Sequence, residues 1–512
     1  MPANTLCAIY DFELMPYALG DVLTWNVQTA IQCEEAGCES VDIYICHDAR
    51  YPACIFERDL VTAENCGLFF SELFGAFGTH PKLGNLLVYR SRDELLTRLQ
   101  AEVKSNAASA NALNAYLKAL ANRHDEVAAI EYFTRTIQTH ERINAFAARF
   151  GRIPLLRPSI GCEPDIKGLV AARFAGRRIV AVHARLRRLD ATGYSGRRSY
   201  ARDSDVLDWY EFLRDAERKH PHVMFILLGR LQEKPIELLR LPNVLSLRTL
   251  GLGLGHELTL LTKCDLFIGT SSGFAAMVNF SETPYFITRM TPASCKAYQI
   301  PLGAERLPFA APRQVLVYEP ESPAMLMRLL EEGLAGPTSQ HGGPGAGIDA
   351  VIDIRSWEWE RAQWLAPDAT TYRFYVDDRY SDKEMAFLLE PKIREARDAL
   401  RLGQKGIADQ ILQRIETCFP RLSTRFGEFL RLKERRAREV NDIDTVNACR
   451  ANLGCLSSSE KGLRRMYFSM QRYLRWAYPN AMKLKDIWKS KHRIPRKLMH
   501  FLKQAVARGD PV

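Results

Sequence analysis

His183, Arg185, Arg187 and Arg188 follow the apolar run Ile179–Val182. Arginine carries a planar fork of N–H donors that matches phosphate oxygens two at a time. At the carboxyl end of a strand, such a cluster could hold a phosphate group and stabilise negative charge developing on it. The alternative is a solvated basic turn beside a satisfied histidine. About 85 residues further on, the run Leu266–Gly269 gives way to Thr270, Ser271, Ser272 and Gly273, and then to a helical pattern. Hydroxyls and free backbone N–H groups at a helix start form an anion site, and glycine lets the backbone come close. An ordinary serine N-cap has the same sequence signature.

Both segments need strands to position them, and the surrounding pattern supplies these. RRIVAVHAR, VMFILLGR, DLFIGTSSG and PYFITR read as strands, alternating with helices over VLDWYEFLRDAERKH, HELTLLTKC and FAAMVNFSE. The unbroken apolar runs IVAV, FILL and LFIG fit a parallel sheet covered on both faces. Residues 159–333 therefore read as a doubly wound α/β domain. In residues 1–158, CAIYDFEL and SVDIYICHD flank a helix over DVLTWNVQTAIQCEEAG that Gly37 can close, and NLLVYRS is a third strand. Two tandem Rossmann-like domains are predicted, joined near IPLLRPSIGCEP, with ligands at the carboxyl ends of their strands. Gly229 and Arg230, ending VMFILLGR, and Gly253 and Gly255 of GLGLGHE are expected as loops on the nucleotide side.

The strand bearing His183, Arg185 and Arg187, followed by DLFIGTSSG, resembles fucosyltransferase-like enzymes of the GT-B glycosyltransferase class. Tyr17 to Ile31, YALGDVLTWNVQTAI, looks like the Gly-Asp loop and first helix of heptosyltransferase-like GT-B enzymes. IYDFELMPYALGDVLTW is also similar to a group of bacterial glycosyltransferases of surface-polysaccharide clusters. The resemblance covers about residues 5–330. It departs from the fucosyltransferase pattern His-x-Arg-Arg, because Ala184 and Leu186 space the basic residues apart. The resemblance implies a nucleotide-sugar donor, GDP-sugar favoured, and a glycan or lipid-linked acceptor. Arg185 would bind the donor pyrophosphate, assisted by Arg187 or Arg188, with Ser271 and Ser272 on phosphate oxygens. Asp21 would be the general base, with Glu13 as a second candidate; Asp21 equally fits a helix N-cap. No Asp-x-Asp follows an apolar strand in these segments, so neither metal nor cofactor is expected and arginine takes a cation's place. The alternative is a non-catalytic assembly protein that keeps a transferase-like fold and binds a partner through its helical C-terminal region.

The rest of the chain bears on location. The net charge of the 512 residues is +10, yet residues 461–512 hold 14 Lys and Arg against 2 Asp, or 14 − 2 = +12. The other 460 residues therefore sum to −2. In that tail Leu463, Met466, Tyr467, Met470 and Leu474 share one helical face, with Arg464, Arg465, Arg472 and Arg475 elsewhere. This composition suits an interfacial helix on anionic lipid, although a solvated helix packed on its own domain has the same pattern. No nucleic-acid motif is present, and no nucleic-acid partner is expected. No apolar run is long enough to span a bilayer, and the start lacks the basic region of a signal peptide. The 12 cysteines show no C-x-x-C spacing and read as reduced thiols. A cytoplasmic protein, peripheral to the inner face of the cytoplasmic membrane, is expected. Residues 334–348 form a Gly/Pro-rich linker, 349–440 an aromatic-rich and helical appendage, and 441–512 the basic amphipathic tail. Within the appendage, ARDALRLGQKGIADQILQRIETCFP resembles one tetratricopeptide unit, the alternative being a small helical attachment.

Overall fold

The computed structural model describes residues 5–58, 60–102, 107–138, 140–186, 203–230, 234–336, 378–420 and 426–455. Arg187 and Arg188, most of the linker, the aromatic segment 349–377 and the tail 461–512 lie outside these residues. The chain forms two compact units, 1–419 and 420–512. Among the described residues, no helix is long and apolar enough to cross a membrane.

The first unit opens with a parallel sheet of β1 (Thr5–Asp11), β2 (Ser40–Cys46) and β3 (Leu83–Tyr89), in that order. Between its strands run α1 (Leu19–Glu35) and α2 (Cys66–Phe77). Gly37, at φ +68°, closes α1 as expected: its left-handed backbone lets the Cys38 N–H reach Cys33 O at 2.8 Å. Helices α3 (Arg92–Glu102), α4 (Ala107–Ala121), α5 (Glu126–Phe133) and α6 (Glu141–Phe150) follow β3. The outer edge of β1 is not left bare. There α4 covers it, and the Cys7 N–H donates to Ser109 Oγ at 2.9 Å.

The second sheet follows α7 (Glu163–Arg173). In chain order come β4 (Arg178–His183), α8 (Val206–Lys219), β5 (Val223–Leu227), α9 (Ile236–Leu239), β6 (Val244–Leu245) and α10 (Leu254–Leu261). Then come β7 (Leu266–Thr270), α11 (Gly273–Asn279), β8 (Tyr285–Thr288), α12 (Pro292–Tyr298), β9 (Gln314–Leu316) and α13 (Pro323–Leu334). All six strands are parallel, in the order β6-β5-β4-β7-β8-β9. This is the doubly wound order 3-2-1-4-5-6, and it places a topological switch point between β4 and β7. Val180, Ala181, Val182, Leu266, Phe267 and Ile268 are fully buried, as their unbroken apolar runs require.

The boundary expected near residue 158 falls inside the first unit. One apolar core runs through both sheets, from Tyr10, Trp25 and Phe77 to Leu258, Phe274 and Met277. The connecting segment is bound on both sides. Ser159 Oγ donates to Gly75 O at 2.7 Å, the Ser159 N–H donates to Thr259 Oγ1 at 2.9 Å, and the Leu156 N–H donates to Phe280 O at 2.8 Å. Two glycine contacts bring the sheets together. An ideal Cβ on Gly75 of α2 would lie 2.7 Å from the Gly255 nitrogen of α10. A Cβ on Gly273 of α11 would lie 2.7 Å from Leu19 Cβ and 3.1 Å from the Gly20 nitrogen of α1.

Helices α14 (Asp378–Arg401) and α15 (Lys405–Cys418) form a hairpin belonging to the first unit, so the expected break at 440 lies instead after Phe419. A lone tetratricopeptide-like pair needs a neighbour to cover its face. Here α8 is that neighbour. Arg414 reaches Glu211 at 2.6 Å and Asp208 at 2.7 Å, and the Tyr210 and Phe419 rings are 4.9 Å apart. In the second unit, α16 (Gly427–Glu439) and α17 (Ile443–Cys455) pack together, with Arg450 on Glu434 at 2.9 Å.

Candidate active site

At the switch point, β4 ends at His183 and β7 ends at Thr270, and His183 pairs in register with Gly269. Ser272, the N-cap of α11, has its Oγ 3.0 Å from His183 Nδ1. The two sequence segments singled out above therefore meet through a hydrogen bond. A β-branched or larger residue in place of Gly269 would strike the neighbouring strand, since a Cβ there would lie 2.9 Å from His183 O. Ser271 is buried, with Oγ 3.3 Å from Tyr298 OH. Thr270 is fully buried, and its Oγ1 has no hydrogen-bond partner among the described residues. A buried hydroxyl left unpaired is costly, which makes it a notable group at a strand end. Arg185 stands two residues past β4 with its side chain about one-third exposed and its Nε 3.5 Å from Asp203. The Ser204 N–H donates to Arg185 O at 2.7 Å, so backbone and side chain are both held against the approach to α8.

The first sheet brings its own loop to this place. Residues 12–18 leave β1 in a tight turn, in which Leu14 and Met15 N–H both donate to Asp11 O. Tyr10 OH donates to Pro16 O at 2.7 Å, and Phe12 stacks on Tyr17 at 3.9 Å. This aromatic packing fixes where α1 begins. Ala18 is the N-cap and offers no side-chain acceptor, so Asp21 is not the cap: it is the third residue of the helix, in its first turn and partly exposed. Because Gly20 abuts Gly273, that turn lies against the start of α11.

Glu13 is committed elsewhere. Its carboxylate oxygens face Arg92 at 2.6 Å and Arg123 at 3.1 Å. Arg92 also pairs with Asp11 at 3.0 Å, and Tyr116 OH donates to Asp11 at 2.7 Å. This buried ion network closes the carboxyl end of the first sheet, and Glu13, expected as a second candidate base, lies within it. The residues expected on the nucleotide side also change. GLGLGHE is not an open loop: Gly253 caps α10, and Gly255 lies inside it as the counterface of Gly75. Gly229, at φ +108°, donates its N–H to the buried Glu257 at 2.9 Å. Arg230 lies beside Glu72 of α2 at 3.5 Å, and Glu72 also meets Arg248 at 3.2 Å, which pairs with Glu257 at 3.0 Å. This charged chain ties the ends of β5 and β6 to the first sheet's helix.

No protein-family profile matches the chain, and no curated protein matches it. Among solved structures it is similar to an Escherichia coli ADP-heptose lipopolysaccharide heptosyltransferase II, at 10% identity over 65% of this chain and 98% of that one, with a TM-score of 0.39. It is also similar to a family 9 glycosyl transferase of Veillonella parvula, at 10% identity over 65% and 98% of the two chains, with a TM-score of 0.35. An E. coli heptosyltransferase solved with ADP gives 11% identity over 64% and 99%, with a TM-score of 0.34. Two of these three are heptosyltransferases, the kind that Tyr17–Ile31 resembles. At such identities and scores none of them carries a functional argument, which rests on the residues above.

One carboxylate at this junction has no sequence signature. Glu57, from the loop between β2 and α2, accepts the Tyr17 N–H at 2.8 Å just before α1. Burial pushes its carboxyl up to about 7, against the Tyr17 N–H, which favours the charged form, and with a smaller upward push from the charge of Asp21. Two shallow depressions of about 550 and 510 Å³ lie elsewhere, on α3 and on the α14–α15 hairpin, and neither gathers the residues of this junction.

Proposed function

We propose that this chain is a glycosyltransferase that moves a sugar from a nucleotide-sugar, GDP-sugar favoured, to a hydroxyl of a glycan or lipid-linked acceptor. The observation that supports the reading is the contact of Gly20 with Gly273, which brings the first turn of α1, where Asp21 lies, against the start of α11, whose N-cap Ser272 is hydrogen-bonded to His183. In this reading the donor pyrophosphate occupies the β4/β7 switch point, on the hydroxyls of Thr270, Ser271 and Ser272 and the guanidinium of Arg185. Asp21 takes the acceptor's hydroxyl proton. The acceptor oxygen then forms its bond to the anomeric carbon as the bond from that carbon to the diphosphate breaks, with inversion. Arg185 stabilises the charge gained by the departing nucleoside diphosphate, the part a metal ion plays in other enzymes.

A panel of GDP, UDP, ADP and CMP tests the donor side. One of them should raise the melting temperature by a few degrees at saturating concentration. Arg185→Ala should weaken that nucleotide about 10- to 100-fold, the range for a lost charge-assisted contact. If no nucleotide shifts the melting temperature, the reading fails.

The basic tail supports a place at an anionic membrane surface, fitting an enzyme of bacterial surface-polysaccharide synthesis. Each basic residue near such a surface contributes about 1 kcal/mol, so partial engagement of the tail suffices. Removing 461–512 should release the protein from phosphatidylserine-containing vesicles in a sedimentation assay. Continued co-sedimentation of the shortened chain would remove the tail from this role.

A further inference from the structure

The hydroxyl of Tyr298, the last residue of α12, lies 3.3 Å from Ser271 Oγ, and both residues are buried. A buried tyrosine normally finds its hydroxyl a partner, and among the described residues that partner is Ser271. The short helix α12 is built to end at this point. Pro292 opens it, the Ser294 N–H donates to Thr291 Oγ1 at 3.1 Å, and Gln299, at φ +53°, closes it. The left-handed backbone of Gln299 lets the Ile300 N–H reach Cys295 O at 3.0 Å. Tyr298 is also gripped from the side of the first sheet. The His140 N–H donates to Ala297 O at 3.1 Å, Asn144 Nδ2 donates to Tyr298 O at 3.0 Å, and the His140 and Tyr298 rings lie 4.8 Å apart. His140 and Asn144 stand at the start of α6, whose Arg142 pairs with Glu35 of α1. Burial holds the His140 imidazole down at about 3, so the ring it sets against the tyrosine is neutral at physiological pH.

We propose that Tyr298 is a positioning residue for the donor's phosphate, its hydroxyl fixing the direction in which Ser271 offers its proton. The inference rests on the glycosyl-transfer reading above for the anion that Ser271 meets. An ionised phosphate oxygen only accepts hydrogen bonds, so Ser271 must donate to it. A serine hydroxyl has one proton. Once that proton is turned to the phosphate, the contact with Tyr298 runs from the tyrosine O–H to Ser271 Oγ. The chain from Tyr298 through Ser271 to phosphate is then polarised one way, and each hydrogen bond strengthens the next. No covalent bond is made or broken in it. At 3.3 Å the contact is loose against the ~2.8 Å usual between hydroxyls. Such contacts are often long before a ligand arrives and tighten around it. Because α6 holds the end of α12, the aim of Ser271 is set in part from the side of the molecule that carries α1 and Asp21.

Tyr298→Phe keeps the ring against His140 and removes only the hydroxyl. Calorimetric titration of the full chain with GDP, UDP, ADP, CMP and inorganic pyrophosphate reads the effect. The substitution should weaken whichever of these binds by about 3- to 10-fold, the size of one net hydrogen bond. Ser271→Ala should weaken it at least as far. Adding Tyr298→Phe to Ser271→Ala should then change the affinity by less than about 2-fold, because the tyrosine acts through the serine. A tyrosine that only packs would lower the melting temperature and leave the affinity unchanged, and that result overturns the inference. Two substitutions whose factors simply multiply overturn it as well. If pyrophosphate binds with this dependence on Tyr298 while no nucleotide binds, the positioning role stands and the transfer reading fails alone. If wild type binds neither, both fail.

Discussion

Asp21→Asn is expected to slow sugar transfer by about 10²- to 10⁴-fold while leaving nucleoside diphosphate affinity nearly unchanged. The substitution keeps the size and shape of the side chain and removes its negative charge and its capacity to take a proton. Asp21 is not the N-cap of α1, so no capping hydrogen bond is lost with it. Loss of one charge at the helix start costs about 0.3–1 kcal/mol. The groups proposed to hold phosphate, Arg185, Ser271, Ser272 and Thr270, follow strands of the other sheet and are not altered. Measuring turnover and nucleotide affinity on the same preparation separates the two halves of the site. Full turnover in Asp21→Asn would exclude it as the base.

Gly273→Ala should damage both stability and transfer, whereas Gly75→Ala should damage mainly stability. The added methyl at 273 would lie 2.7 Å from Leu19 Cβ, an atom fixed to its own backbone, so rotation of a side chain cannot relieve it. Helices α1 and α11 must move apart, and overpacking of this kind costs about 1–3 kcal/mol. Asp21 and the serine turn move with them. A displacement near 1 Å between reacting groups costs about 100-fold in rate, so transfer should fall at least that far. At Gly75 the added methyl would meet the Gly255 backbone at 2.7 and 2.8 Å, an equally rigid clash at the α2–α10 contact. Denaturant unfolding and turnover of both variants distinguish the effects. A Gly273→Ala protein with wild-type stability and turnover would show that the two sheets do not depend on this contact.

The strands that carry the site were legible because each buried run leaves a direct mark on the sequence. IVAV, FILL and LFIG announce strands covered on both faces, and the residues that follow them must then stand at carboxyl ends. The meeting of His183 with Ser272 follows from that placement once β4 and β7 are neighbours. What the sequence hid is tertiary. Gly20 and Gly75 look like any glycine near a helix start or within a helix, and only the facing Gly273 and Gly255 explain them. GLGLGHE looks loop-like because glycine disfavours helices, and packing against α2 overrides that tendency. Asp21 and Glu13 are the first and second candidate bases on paper, both acids that follow β1. Arg92 at the start of α3 and Arg123 in the turn after α4, 79 and 110 residues away, pair with Glu13. Glu57 carries no local signal at all, because its proton affinity is set by burial against a loop 40 residues distant.

The docking of the α14–α15 hairpin on α8 bears on where this chain can be cut. Asp205, Asp208 and Glu211 line one side of α8, and Lys392 and Arg414 of the hairpin supply their counter-charges. Severed at residue 336, the first unit would keep three clustered acids with both of these cations removed. They would repel one another beside the start of α8, two residues past the aspartate that steadies Arg185. The shortest fragment that preserves the surroundings of Arg185 therefore runs to Phe419, well beyond the last strand of its sheet.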